Sequence, residues 1–120
     1  MTDTTALAHR YLDAFNETDP AKRRGLVEEV FTADATYTDP LGAVAGFDGI
    51  DGFLAAAQQQ FPGLRFTLAG AVDAHHDLAR FTWHLGPEGA AEPLAIGFDV
   101  ITVADGKIRR VQGFLDKLPG

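Results

Sequence analysis

The sequence predicts an α+β domain, with three helices first and an antiparallel sheet after them. Two observations carry that prediction. Through the first half of the chain, apolar residues recur every three to four positions, the spacing of one helix face. From Gly63 onward the spacing falls to two, the alternation of half-buried strands. Helices followed by hairpin-linked strands pack as a helical layer on one face of the sheet.

Taken in order, Leu7, Tyr11 and Phe15, with Ala8, Leu12 and Ala14 beside them, form the stripe of the first helix. Thr2 or Asp3 can cap its start, and Asn16-Glu17-Thr18-Asp19 ends it. Asp19-Pro20 reads as an N-cap and a first-turn proline opening a second helix, with Leu26, Val27, Val30 and Phe31 buried. Ala35 to Gly42 is a short strand-like run interrupted at Asp39-Pro40. Proline lacks an amide hydrogen and biases the residue before it to an extended conformation. A glycine-punctuated loop from Gly42 to Gly49 leads to a third helix carrying Ile50, Phe53, Leu54 and Ala57 on one face. Four strands are expected at Leu64–Val72, Leu78–Leu85, Pro93–Val103 and Lys107–Leu115. Their connections run Asp73 to Asp77, Gly86 to Gly89, and Ala104 to Gly106, where Asp105-Gly106 is a strong hairpin signal.

A chain of 120 residues fits one domain with a single core. Hydrophobic residues at 46% and charged residues at 22% make a normal globular balance. The formal charge of -7 is spread along the chain, which argues against nucleic acid or an anionic membrane as partner. Lys22-Arg23-Arg24 and Arg109-Arg110 read as solvated faces. Without cysteine there is no disulfide, thiolate nucleophile or cysteine metal site. The first residues lack a basic segment followed by an apolar run, and no stretch nears the roughly 18 apolar residues of a membrane span. The expectation is a soluble cytoplasmic protein.

Strand parity sorts the side chains further. Phe81, Trp83 and Leu85 share one face, opposite Arg80, Thr82 and His84. Phe98 and Val100 oppose Gly97, Asp99 and Ile101, so that strand has bulky apolar groups on both faces. One face should meet the helices, and the other a second copy of the chain, in a homodimer through the sheet face.

Three polar groups need an account. Tyr11 points inward with Leu7 and Phe15, so its hydroxyl needs a partner. Asp39 is either an Asx-type turn former before proline or a proton-transfer base. Asp99 interrupts the apolar run from Ala95 to Val103, so it is paired, protonated or facing a cavity. Gly97, two residues earlier, would leave open space above the sheet. His75 and His76 lie between Asp73 and Asp77, yet adjacent histidines on a tight turn do not converge on one ion. They read as a solvated hairpin, and no metal site is expected. Parity turns His84 away from Phe81 and Trp83, toward the dimer face.

With Tyr11, the run Tyr37-Thr38-Asp39-Pro40-Leu41-Gly42 and the run Gly97-Phe98-Asp99-Val100-Ile101, the chain resembles the NTF2-like superfamily. Within it the likeness is to the ketosteroid isomerase and SnoaL-like polyketide cyclase branches, and it extends to Gly113-Phe114-Leu115-Asp116. The resemblance implies a cone, three N-terminal helices packed on a curved antiparallel sheet that encloses an apolar pocket. It matches Tyr11 to an oxyanion-hole tyrosine, Asp39 to a catalytic base, and Asp99 to a carboxylic acid kept neutral to donate a hydrogen bond. Trp83, Phe81, Phe53, Leu54, Gly97 and Leu115 are the expected substrate-binding residues. The implied activity is acid–base chemistry without a cofactor, enolisation or an aldol-type closure, on a small apolar or aromatic carbonyl compound. The chain departs from the isomerases at Leu54, where they carry a supporting tyrosine, and at Trp83, where their residue is smaller. The first disfavours a true steroid isomerase, and the second a steroid-sized ligand. The rival readings are a non-catalytic domain binding an apolar small molecule, and a protein-interaction module like the superfamily's transport factor.

Overall fold

In the computed structural model, which describes residues 2–118, the first two helices each start where an aspartate provides a cap. Helix α1 (Thr4–Asn16) begins at Asp3, whose carboxylate accepts the Ala6 amide at 3.0 Å. Helix α2 (Pro20–Val30) begins at Asp19, which accepts the Lys22 amide at 2.9 Å, with Pro20 in the first turn. These bonds satisfy amides that no helical carbonyl can reach. Phe31, assigned by periodicity to the second helix, is instead the first residue of strand β1 (Phe31–Asp39) and wholly buried. The segment expected as a loop from Gly42 to Gly49 divides into strand β2 (Gly42–Ala45) and the start of helix α3 (Gly46–Gln60). Gly46 has φ of +73°, a left-handed conformation that lets the chain turn from strand into helix.

Strands β3 (Arg65–His75), β4 (Leu78–Gly86), β5 (Ala95–Ala104) and β6 (Lys107–Lys117) follow. The β3–β4 turn is only His76-Asp77, because Asp73, Ala74 and His75 pair with β4. The β5–β6 turn is the expected Asp105-Gly106, both residues at positive φ, as a two-residue hairpin requires.

The six strands form one curved, open sheet in the order β2-β1-β6-β5-β4-β3. Every neighbouring pair is antiparallel except β1 and β6, which run parallel with Tyr37 beside Val111 and Thr38 beside Gln112. The sheet is therefore mixed. Period-two spacing identifies strands but not their neighbours, and β1 comes from the helical half of the chain. Helix α1 lies against β3, α3 against β1 and β2, and α2 packs on the other two helices.

A polar clip holds the helices in register. Asn16 donates to the Phe66 carbonyl and accepts the Phe66 amide, both at 2.8 Å. Gln58 donates to the carbonyls of Phe15 at 2.9 Å and Glu17 at 2.6 Å. Arg23 donates to Asp51 at 2.9 Å and to Gln58 at 3.1 Å. Arg23 is buried, not solvated as its basic run suggests, and its guanidinium has both a carboxylate and an amide partner. Breaking such a pair by removing one member costs about 3–5 kcal/mol. The clip fixes where Phe15 and Phe66 stand in the interior. Among the described residues no helix is long and apolar enough to cross a membrane.

Candidate functional site

The inner face of the sheet is built by alternation. Ala95, Gly97, Asp99 and Ile101 of β5 point to the helices, as do Phe81, Trp83 and Leu85 of β4. Register then sets two rows across the strands. Asp99 lies beside Phe81 on one side and Gly113 on the other, while Gly97 lies beside Trp83 and Leu115. The parallel β1–β6 pair carries Asp39 to the same Gly113. A Cβ there would stand 2.6 Å from Asp99 Oδ1 and 3.3 Å from Asp39 Cβ, so glycine is what lets the two acids converge.

Asp99 is 2% exposed, and its Oδ2 accepts from the Tyr11 hydroxyl at 2.9 Å and from Trp83 Nε1 at 3.0 Å. Burial pushes its carboxyl up to about 7; the bonds from Tyr11 and Trp83 pull it down, and the negative charge of Asp39 raises it again. Because Oδ2 already takes two donors, a proton on neutral Asp99 belongs on Oδ1, the oxygen over Gly113. Burial and the Asp99 charge raise Tyr11 well above its ordinary value, so its hydroxyl stays a donor. The Tyr11 ring is fixed by Phe15, Phe31 and Phe81 at centroid distances of 5.1, 5.9 and 5.7 Å.

Asp39 is held differently. Its Oδ1 accepts the amides of Leu41 at 2.7 Å and Gly42 at 3.1 Å, and its Oδ2 accepts the Tyr37 hydroxyl at 2.6 Å. The Asx-type turn expected as one reading of Asp39 is therefore present, and the same carboxylate also faces a cavity. Burial, then the charge of Asp99, raises Tyr37 far above its usual range. That hydroxyl is also a permanent donor.

The cavity is small, about 40 Å³, and its walls are almost wholly apolar. Of the expected residues, Asp39, Trp83, Phe53 and Leu115 line it, joined by Tyr37, Phe15, Phe61 and Phe66. Tyr11, Asp99, Phe81, Leu54 and Gly97 do not reach its surface. Phe81 packs edge-on against Tyr11, and Leu54 is wholly buried. Gly97 does not leave open space. Its inner side is occupied by the Trp83 indole, 2.0 Å from where a Cβ would sit.

Sequence reasoning missed Tyr37, Gly113 and the Trp83 N–H. Tyr37 and Asp39 are two apart on a strand, so parity alone puts them on one face. The other two depend on inter-strand register. On the outer face, His84 is half-buried beside Ile96, and Phe114 is 60% exposed beside Phe98. His75 and His76 are exposed, with ring nitrogens 3.1 Å apart, and among the described residues no three metal-ligating side chains converge.

A family model for the SnoaL-like domain matches residues 8–111. Among solved structures, a candidate isomerase of the SnoaL-like family from Agrobacterium tumefaciens is 41% identical, with a TM-score of 0.88 over 93% of this chain and 96% of that one. A candidate ketosteroid isomerase from Kribbella flavida is 21% identical, with a TM-score of 0.69 over 96% and 78% of the two chains. A candidate polyketide cyclase from Sinorhizobium meliloti is 18% identical, with a TM-score of 0.70 over 92% and 94%. The last two likenesses concern the fold. No curated protein matches the chain in sequence.

Proposed function

The chain belongs to the SnoaL-like family of the NTF2-like superfamily, and from that membership and its paired acids we propose an isomerase- or cyclase-like enzyme acting on a small apolar carbonyl compound. One observation carries the reading. The Asp39 carboxylate, anchored by the Leu41 and Gly42 amides and the Tyr37 hydroxyl, lines an otherwise apolar cavity beside a second acid raised to about 7. A base facing an apolar cavity and a neutral acid beside it are the two partners that enolisation needs.

In this reading Asp39 takes a proton alpha to the carbonyl. Negative charge moves to the carbonyl oxygen, where the Asp99 Oδ1–H donates a hydrogen bond and the Tyr11 hydroxyl joins it by turning from Asp99 Oδ2. Isomerisation follows if Asp39 returns the proton to the gamma carbon. A cyclase outcome follows if the enolate carbon attacks a second carbonyl of the same molecule. Neither route requires a cofactor.

The test is conversion of a small β,γ-unsaturated cyclic ketone to its conjugated isomer. Asp39→Asn is expected to slow it by about 10²–10⁴-fold, the range for a positioned general base. An unchanged rate overturns the assignment.

A second reading, a non-catalytic domain that binds an apolar molecule, is favoured by the apolar cavity and by the protein donors that both carboxylates already accept. Inactivity of the wild-type protein on every such ketone, together with retained ligand binding, selects it. For the partner, a homodimer through the outer sheet face is supported by half-buried Ile96, Phe98 and Val100 and exposed Phe114. Light scattering at micromolar concentration should give twice the chain mass; a monomer ends that proposal.

A further inference from the structure

Trp83 stands between the two hydrogen-bond donors and the cavity. Its indole lies on the backbone of β5, where a Cβ at position 97 would fall 2.0 Å from Cζ2 and 2.1 Å from Cε2. Any residue larger than glycine would unseat the ring. On one side Nε1 donates to Asp99 at 3.0 Å, and on another the ring walls the cavity, with Phe66 edge-on at a centroid distance of 5.1 Å. The 40 Å³ behind it compares with roughly 300–1,000 Å³ for ordinary ligand pockets. As seated, the ring leaves room for a few heavy atoms and hides Asp99 and Tyr11.

We propose that Trp83 is a gate and the size-limiting residue of the site, seated on Gly97 when closed, and exposing Asp99 and Tyr11 to the ligand when it swings away. This rests on reading the cavity as an acid–base pocket. Opening breaks one buried hydrogen bond and one edge-on aromatic contact, and Tyr11 holds Asp99 until the ligand's oxygen takes its hydroxyl. The Oδ2 position that the indole vacates can then accept from an enol hydroxyl. Trp83 thus acts on specificity through shape, and on the donors through access.

Trp83 is the only tryptophan of the chain, so its fluorescence reports this one ring. The experiment measures binding of phenol and of β-naphthol, one- and two-ring enol analogues, by calorimetry to the wild type, W83A and W83F. It also measures acrylamide quenching of wild-type fluorescence with and without phenol. The wild type is expected to prefer phenol by about tenfold or more, and W83A to lose that preference, because binding strength follows the fit of the site. If W83A does not fold, W83F, with a smaller ring and no N–H, must narrow the gap instead. Phenol is expected to make Trp83 more quenchable as the ring leaves its seat. A folded variant that keeps the full preference, or quenching that phenol leaves unchanged, overturns the gate and spares the pocket. Phenol binding to none of the three proteins overturns both.

Discussion

At the Asp99 end of the interior, a carboxyl group 2% exposed depends on donors from other elements, 88 positions away on α1 and 16 away on β4. At the Asp39 end, two of the three donors are amides of the next few residues, and the third is Tyr37, two residues back. Both acids crowd the same Gly113. One is held by tertiary packing and sealed from water; the other is held by its own turn and opens to a cavity. The protonation of Asp99 is therefore a readout of how well the whole fold is packed. The position of Asp39 is a local property that survives changes elsewhere.

The largest expected effect breaks the sealed end. Folded Asp99 ionises near 7, whereas an unfolded aspartate ionises near about 3.9. Between those values the folded chain keeps a proton that the unfolded chain has released. Stability from this group therefore falls as pH rises from about 4 to about 7 and then levels off, by roughly 4 kcal/mol at most. Asp99→Asn keeps an acceptor for Tyr11 and Trp83 and cannot ionise. Urea unfolding at several pH values should show the wild type losing stability across this window relative to the variant. Parallel curves for the two proteins would mean that Asp99 ionises normally and that the two ends do not differ.

The same contrast explains what could be read from the residues in advance. Asp3, Asp19-Pro20 and Asp105-Gly106 act through bonds and dihedrals within a few positions, so the helix starts and the last hairpin were legible. Asp99 was conspicuous because a charge inside an apolar strand is costly without a partner. Its partner Trp83 shows only its size in the sequence, because the N–H contact exists only in the β4–β5 register. The convergence on Gly113 needs the parallel β1–β6 pairing, which joins the first strand of the chain to the last. Arg23 looked solvated because its partners Asp51 and Gln58 lie on another helix. Local chemistry is visible, the Tyr37 bond to Asp39 excepted; what long-range register creates is not.

The smaller effect probes the open end. Tyr37→Phe removes one of three hydrogen bonds to Asp39 and leaves an aromatic ring against Phe53, whose centroid lies 4.7 Å away. Asp39 is only half-buried, so water can replace the lost hydroxyl at Oδ2, while the Leu41 and Gly42 amides still hold Oδ1. The expected loss of stability is about 1 kcal/mol, the net worth of an ordinary hydrogen bond rather than the penalty of an orphaned buried charge. Because the carboxylate keeps its turn, isomerisation of the test ketone should slow by about tenfold at most, well short of the loss from Asp39→Asn. Chemical denaturation and initial rates measured on one preparation check both numbers. A stability loss of about 3 kcal/mol or more would place Asp39 out of reach of water, because only a buried group pays that full penalty. The two acids would then be sealed alike, and the turn at Asp39-Pro40 would matter less than the packing around it.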